Sequence, residues 1–341
     1  MRFFYTFLIV LIAVSFSTGQ ETNKSGTAAA QFLKIGVGAR ATSMGEAIVG
    51  LVDDATATYW NPSGLVGVKK ITLVANFTDW FLDVNHQNFA LVFPIDQSQN
   101  IAISATILNM GEMEVTNERN PKGTGYFFNA SDISIGLTYA VQIVDFFSFG
   151  VTAKYITQNI YNESASAFAI DLGTTLTTGF KGIKIGMSFL NFGSEMQLEG
   201  PDLQKSYDQN PNNATNVGVV SNLATESWGL PLIIKVGIGW DIISNTDALM
   251  WSEMHKLKFG IDANHPMDAP EYLSIGTEYG WHNIVFLRGG YSFNNGEERD
   301  YSFGGGLRWA ISNSFIFNFD YAYVNYQRMG AIHNITVSVG L

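Results

Sequence analysis

The 341-residue sequence contains no cysteine, which excludes a disulfide framework, a thiolate metal site and a lipidated cysteine anchor. Charge is scarce as well. Only 14% of residues are Asp, Glu, Lys or Arg, against about 25% in an average soluble protein. The charge that exists runs negative, −11 in total, with no run of Lys or Arg. Nucleic-acid binding, which needs a basic footprint to meet phosphate, is excluded with it. Long apolar runs are missing after residue 16, so no transmembrane helix of about 18 residues or more is predicted. Mean hydropathy is only +0.09. Because helices and closed barrels are the only structures that span lipid, a membrane location for this chain demands a barrel.

What is present fits that demand. The 34 glycines and 13% aromatics suit a chain in which apolar and small or polar residues alternate finely. The N-terminus reads as a cleavable signal peptide over residues 1–19: Met1-Arg2 is basic, Phe3 to Phe16 is apolar, and Ser17-Thr18-Gly19 precedes a cut before Gln20. From about residue 69 onward the sequence repeats some ten residues of alternating character followed by a turn. Ile133, Ile135, Leu137, Tyr139 and Val141 share one parity, with Asp132, Ser134, Gly136 and Thr138 on the other. Phe168, Ile170 and Leu172 oppose Ala167, Asp171 and Gly173; Tyr301, Phe303, Leu307 and Trp309 oppose Ser302, Gly304, Gly306 and Arg308; Phe317, Phe319, Tyr321 and Tyr323 oppose Asn318 and Asp320. A soluble sandwich also alternates, but its polar face is crowded with Lys, Glu and Thr. Here that face is Gly, Ser, Thr and Ala with single charges, which suits a crowded lumen: Lys154, Asp171, Lys184, Lys235, Lys258, Asp262, Glu278, Arg288, Arg308 and Asp320.

The pattern predicts an all-β fold, an antiparallel transmembrane β-barrel of about fourteen strands over residues 67–341. Every second connection is mostly short, and the others include long ones near Asn109–Asn129 and Gly193–Gly229. Short periplasmic turns and long external loops are the habit of bacterial barrels, and the alternation puts both termini on the periplasmic side. The connection Asp241–His255 is longer than this rule wants. Ile335, Val337, Val339 and Leu341 alternate to the last residue, so the final strand is predicted to close on the first.

Residues 20–66 do not alternate. They are rich in Ala and Gly, with one helix-like piece from Ala39 to Leu51. Gly36-Val-Gly38-Ala-Arg-Ala41 imitates a dinucleotide fingerprint, but that motif needs a βαβ unit behind it and the rest of the chain is a meander. Asp53-Asp54 lacks further ligands at a metal-binding spacing and reads as paired charge inside a plug. The five histidines, His86, His255, His265, His282 and His333, are scattered, and no nucleophile elbow occurs. No enzyme, cofactor or metal site is predicted.

Residues 32–47 (Phe-Leu-Lys-Ile-Gly-Val-Gly-Ala-Arg-Ala-Thr-Ser-Met-Gly-Glu-Ala), Asp53-Asp-Ala55 and Tyr59-Trp-Asn-Pro-Ser-Gly-Leu65 resemble the amino-terminal signature of the PorV/PorQ family. Those are outer-membrane barrels of the type IX secretion system. The portion from Asp53 to Leu65 is similar also to the wider FadL-like superfamily of fatty-acid transporters. The resemblance implies an N-terminal hatch that plugs the barrel, formed by Gly36, Gly38, Ala39, Arg40, Met44 and Gly45. Asn61, Pro62 and Gly64 would turn the chain into the first strand, as their residue types favour in any case.

An unpaired buried charge is costly. Glu46, Asp53 and Asp54 of the hatch are therefore expected to meet Lys154, Lys184, Lys235, Arg288 or Arg308, and Arg40 to meet Asp171, Glu278 or Asp320. Three functions stay open. A secretion component would recognise cargo or an attachment partner through its outer loops, with Tyr126, Phe127, Phe128, Tyr207 and Trp228 as candidate anchors. A FadL-like transporter would pass fatty acids or other hydrophobic small molecules. A general porin fits least, since it has no use for a plug. The expected surroundings are outer-membrane lipid and either secretion-system proteins and cargo or a hydrophobic ligand.

Overall fold

The computed structural model describes residues 26–208, 218–294, 299–310 and 315–341; the signal peptide and its cut before Gln20 lie outside the described residues. Fourteen strands form one closed antiparallel barrel. They are β1 Thr72–Asp79, β2 Asn85–Pro94, β3 Gln99–Glu114, β4 Phe127–Val144, β5 Phe147–Ile160, β6 Glu163–Thr177 and β7 Ile183–Gly193. The second half comprises β8 Ile233–Ser244, β9 His255–Pro266, β10 Tyr272–Trp281, β11 Val285–Asn294, β12 Tyr301–Ala310, β13 Ile316–Tyr326 and β14 Gly330–Gly340. Each pairs with its neighbours in sequence, and β14 closes on β1 with Thr72 opposite Gly340 and Asp79 opposite His333. Closure leaves no strand edge to aggregate.

The alternation sets which face each side chain takes, because successive strand residues point to opposite sides. Phe168, Ile170, Leu172, Phe303, Trp309 and Phe319 are exposed on the outer face, while Ala167, Ala169, Asp171 and Ser302 are buried. Aromatics collect near the ends of strands: Phe146, Phe180, Trp281 and Trp309 toward one rim, Tyr126, Phe127, Tyr161 and Phe293 toward the other. That is the girdle pattern of a barrel in lipid.

The two rims differ. One carries the turns 95–98, 145–146, 178–182 and 282–284 together with the β1 start and the β14 end. The opposite rim carries 80–84, 115–126, 194–232 and 267–271. The predicted loop Asn109–Asn129 is shortened to residues 115–126: β3 runs on to Glu114 and β4 starts at Phe127, with a bulge between Asn109 and Glu112. The long Asp241–His255 connection folds back on its own strand, where Met250 and Trp251 pair in parallel with Ile243 and Ser244. Both ends of the barrel lie at the short-turn rim, but residues 28–31 do not, contrary to the expectation for both termini. Ala28 bridges to Gly229, and the Gln31 amide donates to Asp268 at 2.8 Å, both at the long-loop rim. From there residues 28–68 run along the inner face of the wall to the opposite rim, where the Asn100 amide donates to the Val68 carbonyl at 2.7 Å. The buried apolar core is therefore made largely by this segment, with Met44, Ile48, Leu51, Trp60 and Leu65 fully enclosed.

Candidate functional site

The segment owes its path to small residues and broken helices. The helix starting at Ala39 ends at Ser43, not at Leu51. Gly45 and Glu46 both take positive φ, +63° and +66°, a conformation an α-helix cannot contain. Gly38, at φ +87°, precedes the helix, and the Ala39 amide donates to the Thr336 hydroxyl of β14 at 2.8 Å. Farther on, the Asn61 side chain accepts from the Ser63 hydroxyl at 2.8 Å and donates to the Val49 carbonyl at 3.0 Å. Pro62 opens a short 3-10 helix, Pro62–Gly67, that delivers the chain toward β1. Across from this backbone the wall presents glycines. A Cβ added at Gly276 or Gly290 would run into the Met44 backbone, and one at Gly260 or Gly186 into Ala47 or Val49. Inward glycines thus form a groove into which the segment's main chain fits. Gly36 meets the Glu46 carboxylate in the same way, and Gly64 the Val52 carbonyl.

Charge fixes the segment at several points. Arg40 pairs with Asp53 at 2.5 Å, Asp54 at 2.8 Å and Glu278 of β10 at 2.9 Å. Glu278 also binds Arg288 at 2.7 Å, and Arg288 reaches Asp320 at 2.6 Å. Lys258 holds the other oxygen of Asp53 at 2.9 Å. Partial loss of hydration in the lumen pushes the Asp53 carboxyl up, but the Arg40 and Lys258 cations outweigh it and hold it well below the usual carboxylate range. Toward the other rim Glu46 pairs with Arg299, whose guanidinium lies 5.7 Å from the Tyr272 ring centre and donates to Ser292 at 3.1 Å. Asp262 of β9 accepts the Ile48 and Val49 amides at 2.7 and 2.8 Å.

Several anticipated pairings take other partners. Of the three candidates for Arg40, Glu278 is the one it binds; Asp171 holds Lys154 at 2.5 Å and accepts the Asn191 amide at a β6–β7 bulge. Lys184 pairs with Asp241 at 3.2 Å. Lys235 stacks over Trp60 at 4.5 Å. Arg308 meets Asn318 and Asn283. Wall cations are thus satisfied mainly by wall groups one strand away, where the ladder already sets the spacing. Alternation places Asp262 and Ser302 on the lumen face without a link to the segment, whereas Arg299 and the charge of Asp241 escaped the sequence reading. Arg299 sits in Asn-Asn-Gly-Glu-Glu-Arg-Asp, a stretch with every mark of a solvated turn.

At the long-loop rim a cavity of about 420 Å³ is lined by Ala29, Met110, Asp132, Gln158, Met196 and Trp228, among others. The proposed anchors do not converge there. Trp228 lines it, within a two-residue pairing to Met196. Tyr207 is exposed on a separate hairpin formed by Gln204–Tyr207 and Val219–Asn222; residues 209–217 of that loop lie outside the described residues. Tyr126 and Phe127 are exposed where β4 begins, and Phe128 packs edge-on against Tyr161.

A sequence match decides the lineage. Residues 18–187 match the family described as type IX secretion system protein PorV. The chain belongs to the PorV family. Solved structures similar to this family member include the Pseudomonas putida toluene transporter TodX, with TM-score 0.55 at 13% identity over 89% of this chain and 96% of that one. The CymD monoaromatic hydrocarbon channel gives TM-score 0.55 at 12% identity over the same shares. The Ralstonia pickettii toluene transporter TbuX gives 0.54 at 12% identity, over 89% of this chain and 97% of that one. At such identities they show the fold alone, a FadL-like β-barrel; the barrel together with membership of the PorV family supports the outer membrane as its location. No curated protein matches in sequence.

Proposed function

We propose that this PorV-family protein works as a closed outer-membrane barrel of a type IX secretion system, recognising secreted cargo or an attachment partner with its long-loop rim. The observation that carries this reading is the filled lumen: residues 28–68 occupy the inner face from rim to rim and are tied to it by ion pairs and by a glycine groove. A barrel so plugged makes a poor open pore, and the PorV family match favours recognition at the rim as its work. Loops carry binding while the scaffold positions them, and the long-loop rim is the external one in bacterial barrels. Residues 1–19 serve as the export signal, residues 20–66 as the hatch and 67–341 as the barrel. No catalytic role is assigned.

A second reading has its own support. The cavity lined by Met110, Met196 and Trp228 has the size and mixed lining of a small-molecule site, and the similar barrels are named as toluene transporters or hydrocarbon channels. Shortening residues 200–225 separates the two. The secretion reading expects exported proteins to accumulate in the periplasm while the variant barrel stays abundant and heat-modifiable. Normal export with lost uptake of a long-chain fatty acid or monoaromatic hydrocarbon would transfer the protein to the transporter reading.

A further inference from the structure

We infer that the short-turn mouth of the barrel holds a binding site for an anionic group, a carboxylate or phosphate, gripped by Lys256 and Arg308. A cavity of about 410 Å³ opens beneath the N-terminal segment at this mouth. Its lining carries seven Lys and Arg side chains against four carboxylates, in a chain whose net charge is −11. The four carboxylates are all engaged: Asp53, Asp54, Glu278 and Asp320 are held by Arg40, Lys258 and Arg288.

Lys256 and Arg308 stand outside that network. Among the described residues neither lies within ion-pair distance of a carboxylate. Both instead point hydrogen atoms at one neutral acceptor, the Asn283 side-chain oxygen, at long distances of 3.3 and 3.4 Å. Arg308 gains one better bond, 2.9 Å to Asn318, and lies 6.0 Å from the Phe286 ring centre. Both cations are only partly exposed, so water screens their mutual repulsion incompletely. An anion seated between them relieves that repulsion and replaces two weak bonds by charge-assisted ones. The guanidinium offers a planar fork that fits either a carboxylate or a phosphate. Phe286 and Ile316 line the same cavity and leave room for a short apolar stem behind the anionic head. This site is independent of what the opposite rim recognises.

Calorimetric titration of the folded, detergent-solubilised protein with inorganic phosphate and with acetate tests the inference, and the anion giving saturable heat identifies the source of the charge. Binding should weaken about tenfold for K256M or R308M, as loss of one charge-assisted hydrogen bond implies. The exposed-loop change K122M should leave binding intact. Acetylation of Lys256 in the unaltered protein supplies a measurement that needs no variant: the binding anion should slow it while Lys122 and Lys205 react at unchanged rates. Absence of saturable heat from both anions, unchanged affinity in heat-modifiable K256M/R308M, or unprotected Lys256 would each overturn the site.

Discussion

Arg40 is the side chain on which the segment's electrostatics converge. It is the one group that joins Asp53 and Asp54 of the segment to Glu278 of the wall, and its own side chain is mostly enclosed. Replacing Arg40 by Met keeps the stem but leaves three carboxylates short of a cation. Glu278 retains Arg288 and Asp53 retains Lys258, and Asp53 and Asp54 reach some solvent. The loss should therefore fall near the lower end of that for breaking a buried pair, about 3 kcal/mol. Urea unfolding of the reconstituted barrel should show the midpoint falling; a midpoint equal to that of the unaltered protein would remove Arg40 from this role. At this scale the sequence was partly legible. It named Glu278, Arg288 and Asp320 as lumen charges because a lone charge on a strand's small-residue face stands out, and Arg40 as part of the hatch through the resemblance. It offered Glu278 among three partners for Arg40 but could not choose between them, because pairing depends on which strands face the segment across the lumen.

The N-terminal segment is the element with the most consequence. Its seat depends on glycines spread over many strands, where any Cβ at Gly276 or Gly290 would strike the Met44 backbone. Deleting residues 28–60 should raise ion conductance in planar bilayers while the barrel still assembles, since the strand ladder does not use those residues. G276V/G290V should raise conductance as well, by preventing the segment from seating without removing it. Unchanged conductance in a correctly folded deletion variant would show that the segment does not plug the barrel. The sequence displayed these glycines as half of a strand alternation. Alternation reports only that a side chain points inward, so a lumen residue that is small to admit a backbone looks the same as one that is small for crowding. The helix-like piece misled for a related reason: Ala-rich spacing gave no warning that Gly45 and Glu46 both turn into the left-handed region.

For the whole molecule, the barrel accounts for composition and charge together. A lipid-facing surface of Phe, Ile, Leu and Tyr and a lumen of Gly, Ser and Thr give low charge without a long apolar run. The purified protein should be heat-modifiable on gels, should give a β-dominated far-ultraviolet spectrum, and should begin at Gln20 by N-terminal sequencing. Recovery in the soluble periplasm or a helix-dominated spectrum would contradict this directly.

The sequence by itself determined the strand number, the face of nearly every strand residue and the closure of β14 on β1. Those properties follow from a period of two, which is local and survives without knowledge of neighbours. Its signature from Phe32 to Leu65 also determined the family. The tertiary structure alone decided that residues 28–31 reach the long-loop rim, that Glu46 meets Arg299, and that Lys256 and Arg308 share one asparagine at the opposite mouth. Each is a contact between residues far apart in sequence, fixed by barrel closure and by the segment's path across the lumen, and neither has a periodic trace along the chain.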